Sequence, residues 1–207
     1  MIKKRIIFQG DSITDGGRDK RNYFNLGLGY PLHAAKFLRE ARPDVDFEFI
    51  NMGISGRRTN NLCDLIYPDT IALEPDIVSI LIGINDIWHR YGENKMKTTD
   101  EQIALNYRCT LERLKEETDA KIVMLAPFVL DAENKDFLRH DLVTVRPIVR
   151  ALADEFADAF IPLDDLFNEA MKTQPSPLYY SADGVHPNAA GAEFIGKIYA
   201  ETVEKLL

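Results

Sequence analysis

A serine, a histidine and an aspartate occupy positions in this sequence where acyl chemistry could use them. Ser12 follows a short apolar run, while Asp183 and His186 stand three residues apart just before a proline. A serine hydroxyl can attack a carbonyl carbon when a histidine accepts its proton and an acid orients that histidine. We therefore predict Ser12 as the nucleophile, His186 as the general base and Asp183 as the orienting acid.

Such an attack also needs hydrogen-bond donors for the negative oxygen that develops on the carbonyl. The backbone N–H of Ser12 can supply one donor. The N–H of Gly53 can supply a second, since glycine lets the backbone approach a ligand closely. The side-chain amide of Asn85 is an uncharged third donor. These three groups are the predicted oxyanion hole.

Each motif taken alone also has a structural interpretation. Gly10-Asp11-Ser12 could be a helix N-cap, and residues 51–56 could be an ordinary glycine-rich turn. Asp183 and His186 could be a cap beside a solvated histidine. The aspartates could instead ligate a metal, although the histidine spacing of hydrolytic metal sites is missing. The four aspartates concerned are Asp11, Asp15, Asp86 and Asp183. The joint occurrence of the motifs in this order favours catalysis.

The hydrophobic pattern predicts an α/β fold that can bring the motifs together. Short continuous apolar runs are typical of strands covered on both faces, as in parallel sheets. The predicted strands are residues 5–9, 47–51, 77–82, 121–126 and 159–162. The predicted helices are residues 31–41, 59–73, 99–117, a stretch within 134–158 that Pro147 perturbs, and 187–207.

Alternating strands and helices of these lengths imply a parallel sheet wrapped by helices on both faces. In such sheets, ligands bind at the carboxyl ends of the strands. The motifs at residues 10–12, 51–56 and 83–86 each directly follow a predicted strand, so we expect them to meet at one edge of the sheet. Residues 15–30 are predicted to form a loop beside the nucleophile.

The composition indicates one acidic globular domain over residues 1–207. The formal net charge of -8 argues against nucleic acid or an anionic membrane surface as a partner. No apolar run approaches the roughly 18 residues that a membrane helix needs. The two cysteines, Cys63 and Cys109, belong to no pairing motif, so we expect reduced thiols and a cytoplasmic protein.

The four motifs together resemble those of the SGNH hydrolases, also called the GDSL esterase/lipase family. The matching residues are Gly10-Asp11-Ser12, Gly53, Gly83-x-Asn85-Asp86 and Asp183-x-x-His186. The resemblance implies a three-layer α/β/α sandwich with a five-stranded parallel sheet, flavodoxin-like in its arrangement. It also implies Ser12, Asp183 and His186 as a triad, with Ser12, Gly53 and Asn85 as the oxyanion hole. No metal or organic cofactor is expected.

Within that family, the segments around Gly29, Gly53 and Asn85 look similar to small intracellular acetylxylan and carbohydrate acetyl esterases. Those relatives usually carry Trp-Asp-x-Val-His-Pro, whereas this chain has Ala182 before Asp183. A smaller pocket wall is expected there. Further substrate contacts are predicted at Asp11, Arg57, Trp88, Tyr91 and Phe128, the last three narrowing an acyl pocket so that it accepts acetyl.

These observations predict a serine esterase that removes small acyl groups, most simply acetyl, from a carbohydrate. The first alternative is a lysophospholipase or acyl-thioesterase that uses the same residues on a lipid chain. The second is a glycan-binding module on a decayed hydrolase fold, which the intact set of site residues disfavours. A homo-oligomer is also expected from the resemblance.

Overall fold

The computed structural model of the protein describes residues 2–91, 97–174 and 176–207. Within them, five parallel strands form one sheet in the order β2-β1-β3-β4-β5. The strands are β1 (Ile2–Gly10), β2 (Val45–Asn51), β3 (Ile77–Leu81), β4 (Lys121–Leu125) and β5 (Ala159–Ile161). The predicted α/β fold with a five-stranded parallel sheet is confirmed.

Helices follow or separate the strands. They are α1 (Ser12–Asp15), α2 (Tyr30–Ala41), α3 (Thr59–Asp69), α4 (Ile84–Trp88), α5 (Asp100–Glu117), α6 (Asp136–Phe156), α7 (Leu163–Ala170) and α8 (Ala189–Val203). The short helices α1, α4 and α7 were not predicted, because four to eight residues are too few to show a helical period. Among the described residues, none of the helices combines the length and apolar character that crossing a bilayer requires.

The centre of the core lies around β1, whose side chains are buried on both faces of the sheet. Phe8 packs against Tyr30 of α2 and Tyr199 of α8, with ring centroids 5.7 Å and 5.3 Å away. Ile7 points to the opposite face, as alternation along a strand requires, and contacts Ile50. Apolar cover on both sides explains why this strand reads as a continuous hydrophobic run.

Two helices differ in detail from the pattern. Helix α3 ends at Asp69, directly after Pro68. A 3-10 turn over Ile71–Leu73 occupies the rest of the stretch that was predicted as one helix, residues 59–73. Helix α6 instead continues through Pro147. The proline removes one helical N–H, but the buried face of α6 holds the helix together on both sides of it.

Capping fixes the start of the helix that follows His186. The Asn188 side chain accepts a hydrogen bond from Gly191 N–H at 3.1 Å, and its amide donates to the carbonyl of Tyr179 at 3.0 Å. Asn188 is therefore tied both to α8 and to the chain before the Asp183–His186 loop. The carboxyl end of that loop is therefore held by contacts that do not involve Ser12.

The two cysteines form a disulfide, so the expectation of reduced thiols is wrong. Cys63 lies on α3 and Cys109 on α5, two helices packed against each other, with their Cα atoms 5.9 Å apart. This pairing shows in no sequence motif, because α3 and α5 approach each other only in the folded chain. The cysteines therefore lend no support to a cytoplasmic location, which stays a prediction.

Reduction of this disulfide is expected to lower the free energy of unfolding by roughly 2–4 kcal/mol, because it closes a loop with a sequence separation of 46 in the unfolded chain. Urea unfolding with and without dithiothreitol measures the difference. The variant in which both Cys63 and Cys109 are serine is the control, and reductant should not change its midpoint. An unchanged midpoint for the wild-type protein would contradict the pairing.

Candidate active site

The loops after β1 and β2 meet at the carboxyl edge of the sheet, as predicted. Met52 N–H donates to the Phe8 carbonyl at 2.9 Å, and Ile54 N–H donates to the Gly10 carbonyl at 3.1 Å. The segment after β2 therefore continues the pairing of β1 past the end of the sheet. It lies directly beside the turn that carries Ser12.

A tight turn places Ser12, which is half-buried, at the first position of α1. A Cβ atom on Gly10 would lie 2.4 Å from the Leu81 carbonyl oxygen, so only glycine fits between the strands there. The next residue, Asp11, accepts the Ile13 N–H at 3.0 Å and caps α1. The helix thus begins at Ser12. The Ser12 N–H has no acceptor within α1, as is usual for the first residues of a helix.

Ser12, His186 and Asp183 form a hydrogen-bonded chain. The Ser12 Oγ and His186 Nε2 atoms are 2.9 Å apart, and His186 Nδ1 is 2.7 Å from Asp183 Oδ2. With the ring proton on Nδ1, the histidine donates to the aspartate and accepts the serine hydroxyl proton on Nε2. The geometry suits proton transfer from Ser12 to His186.

Asp183 is organised by its own loop as well as by the histidine. Its Oδ1 atom accepts the N–H groups of Val185 at 2.9 Å and of His186 at 2.7 Å. Burial raises the pKa of Asp183, but the hydrogen bonds from the His186 ring and from these amides outweigh burial and lower the pKa to about 2. The carboxylate is therefore ionised at neutral pH and can stabilise a protonated histidine.

The β4–α6 segment supports this loop from the other side. Leu130 N–H donates to the Gly184 carbonyl at 2.7 Å. Gly184 has a φ of 83°, and a Cβ atom there would lie 2.7 Å from Ala132 Cβ. A glycine is thus needed between Asp183 and His186 both for its backbone conformation and for close contact with the neighbouring segment.

The structure corrects the predicted role of Gly53 in the oxyanion hole. Its N–H donates to the Asn51 side-chain oxygen at 2.9 Å, and the residue is buried. A Cβ atom on Gly53 would lie 2.4 Å from the Asp15 nitrogen. Glycine is required here for packing against α1, and its amide is already used inside the turn.

Gly56, three residues further on, has the properties that Gly53 lacks. It is exposed, and its N–H takes part in none of the hydrogen bonds found among the described residues. Both glycines belong to one sequence motif, which does not distinguish them. The Asn51 side chain does, because it accepts the Gly53 N–H. An asparagine two residues before a glycine is a signal for an Asx-type turn that occupies the nearer amide.

Asn85 lies next to this turn, and its role as an oxyanion donor stays a prediction. Its side-chain nitrogen donates one hydrogen to the Arg57 carbonyl at 3.0 Å. An amide group carries two N–H donors, so the second is free for a ligand. Asn85 and Gly56 are therefore neighbours across this contact, and Asn85 reaches the turn from the start of α4.

Two predicted substrate contacts, Asp11 and Phe128, lie too deep to touch a substrate. Phe128 has no exposed surface and packs against Phe167, with ring centroids 4.8 Å apart. Asp11 is 1% exposed. Burial raises the pKa of Asp11 to about 7, against the opposing effects of the Ile13 N–H and of His186. Its role is to cap α1.

Trp88 lies at the edge of the site, next to the histidine. Its ring centroid is 6.2 Å from that of His186, and the Lys135 amino group lies 4.5 Å from the tryptophan ring. Sequence reasoning missed Lys135, because it comes to Trp88 from the β4–α6 segment. Trp88 and Lys135 together form one wall beside His186.

Tyr91 and Arg57 make contacts with the scaffold. The Tyr91 hydroxyl donates to Asp141 at 3.1 Å. The guanidinium of Arg57 pairs with Asp69 at 2.6 Å and is mostly buried. The Arg57 carbonyl, through its bond with Asn85, is the part of this residue that reaches the site.

The aspartates proposed as alternative metal ligands are used separately. Asp11 caps α1, Asp15 binds Ser55, Asp86 binds Thr59 and Asp183 binds His186. In residues 2–91, 97–174 and 176–207, no three acidic, histidine or cysteine side chains are grouped so that they could hold a metal ion.

A pocket of about 230 Å³ opens beside Ser12 and His186. Leu28 and Gly29, from the loop before α2, line one side, and Ala192 of α8 lines another. This volume lies below the ~300–1,000 Å³ of typical ligand pockets. A larger groove between α6 and α7 includes Arg146 and Asp164 in its lining but does not contain Ser12 or His186.

The fold and the comparisons with known proteins define a carboxylic ester hydrolase. The chain belongs to the GDSL-like lipase/acylhydrolase family, whose model matches residues 8–194. This confirms the resemblance seen in the sequence motifs.

Similar proteins of known structure or name support the same family. An acetylxylan esterase from Geobacillus stearothermophilus is 32% identical over 97% of this chain and 94% of its own length. The crystal structure of that organism's Axe2, an acetylxylan esterase, superposes with a TM-score of 0.86 at 30% identity, covering 96% of this chain and 93% of the other. A GDSL-like lipase from Parabacteroides merdae superposes with a TM-score of 0.88 at 36% identity, covering 97% and 96%.

Alanine substitutions at the two glycines should separate their roles. Gly53→Ala forces a methyl group into α1 and is expected to lower the free energy of unfolding by about 1–3 kcal/mol. Gly56→Ala meets no neighbouring atom within 4 Å, so its main defect should be in kcat, through strain at a φ of 82°. Thermal unfolding and ester hydrolysis measure the two effects. A stable, fully active Gly53→Ala protein would contradict this assignment.

Proposed function

We propose that the protein is a serine esterase that removes acetyl groups from carbohydrates. The observation that carries the proposal is the hydrogen-bonded chain from Ser12 through His186 to Asp183, which begins at a half-buried serine beside a pocket. The proposed oxyanion donors are the amides of Ser12 and Gly56, which bond to no acceptor among the described residues, and the second N–H of Asn85. Together these groups provide a nucleophile, a base and donors for an oxyanion.

In the first half of the reaction, His186 Nε2 accepts the Ser12 hydroxyl proton as Oγ bonds to the ester carbon. The carbonyl electrons move onto oxygen, and the donors of Ser12, Gly56 and Asn85 stabilise that charge. The tetrahedral intermediate then collapses. The bond to the sugar oxygen breaks, and protonated His186 gives its proton to that oxygen, leaving an acetyl group on Ser12.

In the second half, a water molecule takes the place of the sugar hydroxyl. His186 accepts a proton from the water as its oxygen bonds to the acetyl carbon, and the new intermediate expels Ser12 Oγ, which recovers the proton. Asp183 stays ionised throughout because its hydrogen bonds hold its pKa far below neutrality. Acetate leaves and the serine is restored.

Similarity and pocket size together support the choice of substrate. Relatives matching nearly the whole chain are described as acetylxylan esterases, one of them from Geobacillus stearothermophilus. A second acetylxylan esterase, from Xylanibacter ruminicola, is 27% identical over 97% of this chain, which covers 43% of that longer protein. The pocket of about 230 Å³ beside Ser12 is small, as a short acyl group requires. A homo-oligomer stays a prediction.

Replacement of the nucleophile is the direct test. Ser12→Ala should reduce the hydrolysis of 4-nitrophenyl acetate and of acetylated xylo-oligosaccharides by roughly 10⁴-fold or more, because no other hydroxyl is bonded to His186 Nε2. Thr173→Ala, which removes an exposed hydroxyl on the surface, is a control that should retain full activity. Near-wild-type turnover by Ser12→Ala would refute the mechanism.

Acyl length separates acetyl esterase activity from the lipid-directed alternatives. We expect kcat/KM to fall at least roughly tenfold from 4-nitrophenyl acetate to 4-nitrophenyl octanoate, since an octanoyl group would take up most of the pocket of about 230 Å³ beside Ser12 and leave little room for the alcohol. Comparable values for the two esters would contradict a short acyl site and favour a lysophospholipase or thioesterase. A panel of acetylated sugars measured in parallel then identifies the preferred alcohol.

A further inference from the structure

The segment Ser55–Thr59, called here the oxyanion turn, carries the Gly56 amide between β2 and α3. Gly56 has a φ of 82° and no side chain or backbone atom would lie within 4 Å of a Cβ placed on it. The amide is therefore not held by packing around the glycine itself. Its position is instead set by contacts made elsewhere along the turn: at its two ends, Ser55 and Thr59, and at the Arg57 carbonyl, which accepts from Asn85.

Asp15 holds the first end of the oxyanion turn. Its Oδ2 atom accepts both the N–H of Ser55 at 2.9 Å and the hydroxyl of Ser55 at 3.0 Å. Its Oδ1 atom accepts the N–H of Arg18 at 3.2 Å. The side chain is almost fully buried, and the Lys20 amino group lies 3.4 Å from its Oδ2 atom. Both carboxylate oxygens are thus used.

Asp86 holds the other end. Its Oδ2 atom accepts the N–H of Thr59 at 2.9 Å, and its Oδ1 atom accepts the Thr59 hydroxyl at 2.7 Å. Asp86 has no exposed surface. The Asn106 side chain donates to the same threonine hydroxyl at 3.1 Å, so Thr59 is held from α5 as well.

The two carboxylates stand on the same short helices as the other reacting groups. Asp15 lies on α1 with Ser12, and Asp86 is the neighbour of Asn85 on α4. Each of these two helices therefore carries one residue that acts on the ester in the proposed mechanism and one aspartate that bonds to the oxyanion turn. Any shift of the turn relative to either helix has to break a buried hydrogen bond.

We propose that Asp15 and Asp86 are positioning residues, which set the distance of the Gly56 amide from Ser12 and from Asn85. The inference rests on the proposed function, in which Gly56 donates to the oxyanion. Neither carboxylate touches the substrate. They act through Ser55 and Thr59, and their effect belongs to the transition state, because the oxyanion forms only there.

An asparagine tests this at Asp15 with almost no change in shape. A carboxylate accepts on both oxygens, whereas an amide has one acceptor and one donor group. In Asp15→Asn, an NH₂ group faces either Ser55 N–H or Arg18 N–H, the second of which also donates to the Asp15 backbone carbonyl at 3.0 Å, and the ion pair with Lys20 is lost in both cases. We expect kcat for acetyl ester hydrolysis to fall by roughly 10- to 100-fold, with KM unchanged within about twofold. The melting temperature is measured on the same samples.

The matched control is Asp158→Asn at the opposite edge of the sheet. Asp158 also accepts a backbone amide, that of Ile122 at 2.9 Å, and also pairs with a lysine, Lys121 at 2.9 Å. Loss of stability should be similar or greater in this variant, but kcat should not change. A fall in kcat for both variants alike would show that Asp15 acts only through stability and would overturn the proposal.

A second variant covers the case in which Asp15→Asn does not fold. Thr59→Val removes only the hydroxyl bonded to Asp86, and it should lower kcat severalfold without raising KM. Folded Asp15→Asn or Thr59→Val with wild-type kcat contradicts the proposal. Ser12→Ala tests the proposed function separately. If Ser12→Ala stays active, the mechanism itself is wrong. If Ser12→Ala is inactive and Asp15→Asn is fully active, only the positioning role is rejected.

Discussion

The parallel pairing of β1 with both β2 and β3 is the constraint on which the rest of the structure depends. Because all three strands run in one direction, the chain must leave each of them at the same edge. Gly10 lets β1 approach Leu81 of β3 closely, and the segment after β2 goes on bonding to β1 beyond the sheet. Backbone pairing therefore brings the start of the segment after β2 next to the turn that carries the serine.

The sheet and the chemistry of the site could be predicted from the sequence because both rest on local signals. Buried parallel strands appear in the sequence as apolar runs. Ser12 and Asn85 each come shortly after a predicted strand, and the Asp183–His186 pair directly precedes the last predicted helix. What could not be predicted depends on contacts between distant segments. The pairing of Cys63 with Cys109 needs the approach of α3 to α5, and the burial of Phe128 needs α7.

The exchange of Gly53 for Gly56 shows the limit most clearly. Both are glycines of one turn, and composition cannot rank them. The difference lies in where one side-chain oxygen points: the Asn51 carbonyl group accepts the Gly53 N–H, and its amide nitrogen donates to the Thr14 carbonyl at 2.7 Å. A hydrogen-bond network of this kind is a property of the folded loop, and residue spacing does not encode it.

The contact between Leu130 and Gly184 has a consequence for how such a protein can diversify. The β4–α6 segment supports the acid–base loop through a backbone hydrogen bond and through a methyl group at Ala132. The side chains that follow, up to Lys135 at the wall beside Trp88, take no part in that support. Evolution can therefore change the side chains of this stretch while the backbone bond that supports the Asp183–His186 loop is inherited intact.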